Sequence, residues 1–200
     1  MKKTPINKLS IVIMAHPDRK EMAELLSAGL GGIPIVWDEK NNVWDTCKRA
    51  WQAIDKTAEY GLVLQDDVIP CTEFVRRAES LLTEDYLYNF FIHSGFVAKV
   101  EKAISDGQSG FFTSSIFGEI ALCMPIKYIN GMINYCESKK AQSDTVISSW
   151  AITNKVKIYY PIPSLVDHRA GDSIFLKNTG QPQREKPHQG CCFADNYLVG

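Results

Sequence analysis

The sequence predicts an α/β protein built around a mostly parallel central sheet, and two observations support this fold class. The chain opens with a strand, a helix and a strand: Leu9–Ala15 is apolar, residues 18–29 favour a helix that glycines then end, and residues 33–38 are again strand-like. A βαβ opening of this kind favours parallel strands joined by a right-handed crossover. The second observation is the run Gly61–Leu64, which has no polar side chain and is typical of a strand buried on both faces.

The rest of the chain continues the alternation of helical and strand patterns. From Val43 to Tyr60 the apolar residues repeat at helical spacing, which places Trp44 and Trp51 in the core. Thr72 is expected to cap the following helix. Further strands are predicted over 89–92, 118–125 and 156–160, helices over 126–139 and 145–152, and a loop or short hairpin over 101–115. No repeat or domain boundary interrupts this pattern, so residues 1–200 are predicted to form one domain.

Composition limits the classes of protein that this chain can belong to. With 200 residues, of which 45% are hydrophobic and 22% charged, it can bury a globular core. The formal net charge of −1 gives no global basic field of the kind that favours nucleic-acid binding. Two local basic clusters, more typical of solvated termini than of binding surfaces, are Lys2, Lys3 and Lys8, and Lys177, Arg184 and Lys186.

No pattern in the sequence predicts export or a membrane anchor. Met1-Lys2-Lys3 resembles the start of a signal peptide, but the apolar run after it is short and lacks a cleavage pattern. No stretch approaches the roughly 20 apolar residues that span a bilayer. Six scattered cysteines without a CxxC motif indicate reduced thiols in a cytoplasm. Cys191 and Cys192 could bind a metal with His188, although the paired spacing of a zinc site is missing.

Asp66 and Asp67 are the main candidates for chemistry. They follow the buried apolar run, at the end of a strand where open α/β sheets bind their ligands. Two adjacent carboxylates repel each other unless a cation or hydrogen-bond donors lie nearby. Hard cations such as Mg²⁺ are usually held by one or two carboxylates together with substrate phosphates. The doublet therefore predicts a metal-diphosphate site; the alternative is one helix cap and one solvated carboxylate.

His168 and Asp144 are further candidates, each with an ordinary structural alternative. His168 lies in a polar cluster after a predicted strand, where a neutral imidazole could complete a Mn²⁺ site begun by carboxylates. A lone histidine can equally be a loop or core residue. Asp144 precedes a predicted helix, and a capping carboxylate is the usual explanation of such a position. The same position would suit a general base that points into a cleft.

Several residues could recognise a nucleotide because they follow predicted strands or lie on the helix before the central strand. The candidates for binding a donor nucleotide are Ala15, His16, Arg19, Asp38 and Arg49, with Lys48 beside the last of these. Arg49 could equally be an exposed salt-bridge partner, which contributes little to stability.

Taken together, the order of motifs resembles a small glycosyltransferase of the GT-A fold, similar to lipopolysaccharide-type transferases and their compact phage relatives. The motifs are Trp44-x-x-Cys47-x-Arg49-Ala50, Val63-Leu64-Gln65-Asp66-Asp67-Val68 and Pro161-x-Pro163-Ser164-Leu165-Val166-Asp167-His168-Arg169. The resemblance covers roughly residues 9–175. It implies a three-layer sandwich with a Rossmann-like nucleotide-sugar-binding half over 1–100, an acceptor half over 101–175 and a tail over 176–200.

The resemblance also implies roles for these residues. Asp67 and His168 are expected to bind Mn²⁺ or Mg²⁺, and Asp66 to contact the donor's ribose or sugar, or the metal through water. Asp144 matches the position of the catalytic base in inverting members, and the loop after the first strand resembles the uracil pocket. One departure is Gln65, which stands where the family's acidic motif begins with an acid.

The implied activity is transfer of a sugar from a nucleotide-diphosphate sugar, with UDP favoured, to an acceptor hydroxyl. A divalent ion would stabilise the leaving diphosphate, and a carboxylate would remove the hydroxyl proton. The acceptor could be a glycan, a protein or a hydroxymethylated base in phage DNA; DNA would require phosphate contacts and base extrusion. The compartment would be the cytoplasm of a bacterium, or of the host cell if the chain is phage-encoded.

Two rival functions remain open. A nucleotidyltransferase of related fold would carry a Gly-rich, Lys/Arg-bearing loop after the first strand, and His16–Arg19 is poor in both features. The other rival is a non-catalytic nucleotide-binding or adaptor domain, in which the Asp doublet is only a cap.

Overall fold

A mixed sheet of seven strands forms the middle layer of the computed structural model, which describes residues 8–139, 143–169 and 190–195. The described strands are β1 (Leu9–Ala15), β2 (Ile35–Trp37), β3 (Tyr60–Gln65), β4 (Val68–Pro70), β5 (Leu87–Asn89), β6 (Gly110–Thr113), β7 (Ala121–Pro125), β8 (Ile158–Pro161) and β9 (Val166–His168). The described helices are α1 (Lys20–Gly29), α2 (Val43–Ala53), α3 (Phe74–Leu81), α4 (Val97–Ser105), α5 (Ile126–Glu137) and α6 (Ser143–Thr153), with short 3-10 turns at Pro17–Arg19 and Ser94–Phe96.

Strand order in this sheet is β2-β1-β3-β7-β5-β8-β6. β1 pairs in parallel with β2 and β3, and β5 pairs in parallel with β8, whereas β7 and β6 run antiparallel to their neighbours. Ala15 lies opposite Trp37, and Met14 lies opposite Gln65. The loops after β1, β2 and β3 therefore leave at one edge of the sheet, here called the carboxyl edge. Because β7 is reversed, the chain enters it from that same edge.

Helices cover both faces of the sheet, which produces three layers. Buried residues of α1 and α3 pack with one set of strand side chains, and buried residues of α2, α4, α5 and α6 pack with the other set. Along β1, Ile11 and Ile13 face the first core while Val12 and Met14 face the second. Both faces of β1 and β3 are thus apolar because both are covered, as expected for the centre of an α/β sheet. The predicted α/β fold class is confirmed.

A second sheet of two strands, β4 and β9, lies just beyond the carboxyl edge. Val68 pairs with His168, and Pro70 pairs with Val166, in antiparallel register. This pairing joins the segment after Asp67 to a segment about a hundred positions later in the chain. It is the element that brings His168 to the Asp doublet.

Three local predictions were wrong. Residues 101–115 form the end of α4 and strand β6, because Val100 and Ala103 supply a buried face that the polar residues around them conceal. The helix predicted from the pattern over Val43 to Tyr60 ends earlier, at Ala53. Thr72 was expected to cap α3, but the residue before that helix is Glu73, at φ 57°. Thr72 instead donates its backbone N–H and its hydroxyl to Asp195.

Other expectations concern the cysteines, membrane-spanning helices and residues that lie outside the described ranges. All six cysteines are free thiols. No helix among the described residues is long and apolar enough to cross a lipid bilayer. Some residues named above lie outside the described residues: Lys2, Lys3, Lys177, Arg184, Lys186 and His188.

Candidate functional site

Arg19 lies between the two carboxylates that follow β3. Asp66 and Asp67 are each only 5% exposed. Arg19 Nη1 is 3.0 Å from Asp66 Oδ1 and also contacts Asp67 Oδ2. Arg19 is the last residue of the 3-10 turn Pro17–Arg19, and its backbone N–H donates to the His16 carbonyl at 2.9 Å. This turn sets the position of Arg19. Arg19 therefore supplies the positive charge that two adjacent buried carboxylates require.

Asp66 is held by the loop after β1. Its Oδ2 accepts the backbone N–H of His16 at 2.8 Å, in addition to the contact with Arg19. Burial raises the pKa of Asp66, and the neighbouring charge of Asp67 adds to this effect, while the His16 hydrogen bond and Arg19 oppose it. The sequence prediction placed Asp66, His16 and Arg19 near one another, and the structure brings all three into contact.

Asp67 faces His168. His168 Nε2 lies 3.2 Å from Asp67 Oδ2, and the backbone N–H of Arg169 donates to the Asp67 carbonyl at 2.8 Å. Burial alone would raise the pKa of Asp67, but the hydrogen bond from His168 and the charge of Arg19 outweigh it and lower that pKa. Asp67 Oδ1 is buried and accepts no hydrogen bond from the described residues.

These residues fit a divalent cation only if a ligand completes its shell. Within the described part of the chain, no group of three or more His, Cys, Asp or Glu side chains could hold a metal ion by itself. Asp67 Oδ1, which accepts no hydrogen bond from the described residues, offers an oxygen, and His168 Nε2 offers a nitrogen once the hydrogen that it donates to Asp67 Oδ2 has left. Two protein side chains completed by phosphate oxygens is a common arrangement for Mg²⁺. The donor set is therefore compatible with a metal that binds together with a diphosphate.

Asp38 directly follows β2, and the side chain of Arg49 on α2 reaches the end of the same strand. Asp38 Oδ1 accepts the backbone N–H of Asn42 at 3.0 Å, and the Asp38 N–H donates to the carbonyl of buried Ala15 at 2.7 Å. Arg49 donates to the Trp37 carbonyl at 2.6 Å and to Asp45 at 2.9 Å. Both side chains therefore make their described contacts within this loop at the carboxyl edge. Neither makes a described hydrogen bond to Asp66 or Asp67.

Asp144 lies in the first turn of α6. Its Oδ1 accepts the backbone N–H of Thr145 at 2.6 Å and the Thr145 hydroxyl at 3.3 Å. Because α6 begins at Ser143, Asp144 is its second residue and not the N-cap before Thr145 that the capping interpretation predicted. Asp144 is half-buried, and its role as a base stays a prediction.

Glu119 is a titratable residue that sequence reasoning missed. Ser143 Oγ donates to Glu119 Oε1, while Oε2 is buried and accepts no hydrogen bond from the described residues. Burial raises the pKa of Glu119 to about 8, and the charge of Asp144 adds to this although the Ser143 hydrogen bond opposes it. Glu119 therefore carries a proton at neutral pH.

The position of Glu119 at the site follows from strand direction. Gln65 N–H donates to the Ile120 carbonyl at 2.8 Å, so Glu119 lies at the carboxyl edge next to the end of β3. In the sequence, Glu119 stands directly before an apolar run, whereas Asp66 follows shortly after one. This signal could have been used only if the reversed direction of β7 had been known.

Comparisons with known proteins found similar structures only at low identity. No family model matches the chain, and no curated protein is similar to it in sequence. A mutant of Drosophila β-1,4-galactosyltransferase 7 in complex with manganese, UDP-Gal and xylobiose aligns over 90% of this chain and 82% of its own, at 10% identity and a TM-score of 0.46.

Two further structures are similar at the same level. The catalytic domain of the same Drosophila enzyme with xylobiose aligns over 90% of this chain and 82% of its own, at 9% identity and a TM-score of 0.49. A 4-diphosphocytidyl-2C-methyl-D-erythritol synthase from Anaerococcus prevotii aligns over 80% of this chain and 91% of its own, at 9% identity and a TM-score of 0.49. At these TM-scores the likenesses carry no argument about the function of this chain.

Proposed function

We propose that this chain is a metal-dependent glycosyltransferase that moves a sugar from a nucleotide-diphosphate sugar, UDP-sugar favoured, to an acceptor hydroxyl. One observation carries the proposal: a buried Asp67–His168 pair stands next to Arg19 and Asp66 at the carboxyl edge of an α/β sheet. Open α/β sheets bind nucleotides at this edge. The incomplete donor set of Asp67 and His168 matches a cation that arrives with a diphosphate.

Each residue has a defined part in this proposal. Asp67 and His168 would hold Mn²⁺ or Mg²⁺, which would supply Lewis-acid stabilisation of the leaving diphosphate. Asp66 keeps the loop after β1 in place through the His16 N–H, so that the loop can form one side of the nucleotide pocket. Arg19 balances the charge of the doublet before a cation binds.

The acceptor side is proposed to lie at the beginning of α6. Asp144 takes the proton from the attacking hydroxyl, which is the role that an ionised carboxylate can perform at neutral pH. Glu119, neutral and hydrogen-bonded to Ser143, adds no second negative charge beside Asp144.

Thermal stabilisation tests the donor half of the proposal. We expect Mn²⁺ together with a UDP-sugar to raise the melting temperature by several degrees, since a ligand at 100 times its Kd stabilises by about 2.7 kcal/mol. Asp67→Asn should abolish this gain, and Asp106→Asn, which changes an exposed carboxylate just after α4, should preserve it. Stabilisation that survives both a chelator and Asp67→Asn would contradict the metal assignment.

Product analysis separates the rival activities. With a labelled donor, a glycosyltransferase releases the nucleoside diphosphate, whereas a nucleotidyltransferase releases or consumes pyrophosphate. Binding without either product would indicate the non-catalytic alternative.

A further inference from the structure

Phe117 exposes a large aromatic ring beside the candidate site. Phe117 is 52% exposed and lies in the loop between β6 and β7. The His93 ring lies 5.2 Å from the Phe117 ring, and the Phe96 ring lies 5.8 Å away in an edge-on arrangement. Phe96 in turn packs on Tyr160, which is fully buried. One part of the Phe117 ring is therefore backed by the core while another part faces solvent.

The ring lies between the two groups of candidate residues. On the donor side, ring contacts connect Phe117 through His93 and Phe91 to His168, with centroid separations of 5.2, 6.3 and 6.4 Å. On the other side, Glu119 follows two positions later and contacts Ser143, the neighbour of Asp144. Ring contacts and chain position thus connect Phe117 with both groups of candidate residues.

The backbone fixes the exposure of Phe117. Its N–H donates to the hydroxyl of buried Tyr160 at 2.9 Å, and the carbonyl of Gly118 accepts from the side-chain amide of Asn89, also buried, at 2.9 Å. Gly118 has φ +72°, and a Cβ there would lie 3.3 Å from the Phe91 ring. The loop is therefore held on both sides of Phe117, and an aromatic side chain so placed loses little conformational freedom when a ligand packs on it.

We propose that Phe117, flanked by His93 and Phe96, is a stacking platform for a pyranose ring of an oligosaccharide acceptor, an inference that rests on the proposed function. One face of a pyranose is lined with C–H groups and packs on an aromatic ring, which leaves hydroxyls at its rim to reach Asp144. Saccharide is favoured over nucleic acid because phosphates need several cations. The described contacts of the platform include one, Lys99, whose Nζ lies 5.9 Å from the centroid of the Phe96 ring, while the Asp167 carboxylate accepts from Gly190, which pairs with His93.

A matched pair of phenylalanine substitutions tests the platform. Phe112 is 48% exposed on β6, where it packs against Tyr86 and Tyr159. Removal of either ring deletes similar apolar area, but only Phe117 lies beside the candidate site. In a transfer assay with a glycan library as acceptors, we expect Phe117→Ala to raise the acceptor KM on the order of tenfold. Phe112→Ala should leave the acceptor KM unchanged.

Substitutions that keep or remove the aromatic ring at position 117 give a second test of the platform. Phe117→Tyr and Phe117→Trp keep an aromatic face and should stay within about threefold of the wild-type acceptor KM, whereas Phe117→Leu should behave like Phe117→Ala. Melting temperatures without ligand confirm that each variant is folded. An acceptor KM unaffected by Phe117→Ala, or raised equally by Phe112→Ala, would overturn the platform.

Direct glycan binding keeps this test separate from the proposed activity. Binding of the wild type and of Phe117→Ala to immobilised oligosaccharides is measured with and without Mn²⁺ and UDP. Glycan binding that depends on Phe117 in a chain that shows no donor binding supports the platform and refutes the transferase. Equal glycan binding by both variants refutes the platform. Transfer to hydroxymethylated DNA, with no transfer to any glycan, also refutes it.

Discussion

Arg19 occupies the position in which an external cation would neutralise the Asp doublet. Its Nη1 contacts one oxygen of each carboxylate, and its own side chain is only 14% exposed. Burial lowers the pKa of this guanidinium, but the charges of Asp67 and Asp66 outweigh that effect and raise it. Arg19 thus compensates the charge of the doublet without a metal.

This arrangement predicts a specific response to loss of Arg19. Arg19→Gln leaves two buried carboxylates without their cation, which should destabilise the fold by about 3 kcal/mol. Mn²⁺ alone should then raise the melting temperature more in Arg19→Gln than in the wild type, because the ion replaces the missing charge. Arg76→Gln, which breaks an exposed pair with Glu73, serves as the control. An Arg19→Gln protein as stable as the wild type would contradict this account.

Glu119 predicts a pH dependence of stability. Its pKa is about 8 in the fold against an ordinary value of 4.5, so the folded chain binds one more proton than the unfolded chain between these values. The stabilising contribution is complete below pH 4.5 and is lost as the pH rises towards 8, at up to about 1.4 kcal/mol per pH unit.

Glu119→Gln tests this sign, because the amide stays neutral at every pH. The difference in melting temperature between Glu119→Gln and the wild type should grow from pH 5 to pH 8.5, by a few degrees for each kcal/mol in a domain of this size. Glu101→Gln, at an exposed position on α4, should show no such trend. A difference that stays constant with pH would mean that Glu119 is ionised in the fold.

At the scale of elements, the two-stranded sheet of β4 and β9 depends on Ser164. The Ser164 hydroxyl is fully buried, accepts the Ile92 N–H at 3.2 Å, and lies 2.9 and 2.7 Å from the carbonyl oxygens of Phe90 and Val166. This one hydroxyl ties the chain before β9 to the segment after β5. Together with the backbone N–H groups of Leu165 and Val166, which donate to the Phe90 carbonyl at 3.0 and 3.3 Å, it positions β9 and thus His168.

Ser164→Ala should weaken both the fold and the metal site. Loss of a buried hydroxyl that leaves an N–H without its acceptor costs about 1–3 kcal/mol. We expect the melting temperature to fall and the stabilisation by Mn²⁺ and UDP-sugar to shrink as β9 loosens. Ser80→Ala, at an exposed position on α3, is the matched control. A variant with reduced stability but unchanged ligand response would show that β9 is placed by other contacts.

The elements also show what can be predicted from the sequence. β1 and β3 were predictable because both faces are buried, so their runs are apolar throughout. α4 was not, since only Val100 and Ala103 face the core and the other positions are polar or exposed. The cap of α3 was misassigned because Thr72 bonds Asp195, a partner far away in the sequence. Local patterns identify elements whose environment is uniform; contacts between distant segments decide the rest.

For the whole molecule, the separation between Asp67 and His168 is the main obstacle to prediction. No local signal connects two residues a hundred positions apart, and their proximity follows from the register of β4 against β9. Resemblance to a family suggested the pair, and the structure brings the two side chains together. The doublet itself was evident from the sequence because a charged pair at the end of an apolar strand is unusual.

Net charge gives a prediction at the same scale. With a formal charge of −1, the chain lacks the basic field that makes nucleic-acid binding strongly salt-dependent. The KM for a neutral glycan acceptor should change less than about twofold between 50 and 200 mM salt, whereas binding through several phosphates weakens by orders of magnitude over this range. A steep decline of acceptor binding with salt would show that the acceptor is polyanionic.

The reversed strand β7 has a consequence for how this site can change. Most of the proposed donor-side residues come from segments that follow β1, β2 and β3, with His168 on β9, whereas Phe117 and Glu119 come from the segment that precedes β7. In this proposal, the donor side and the acceptor side are thus supplied by separate parts of the chain. Insertions or substitutions between β6 and β7 can therefore alter acceptor choice while the donor pocket keeps its sequence. A scaffold divided in this way permits one donor chemistry to be redirected to new acceptors.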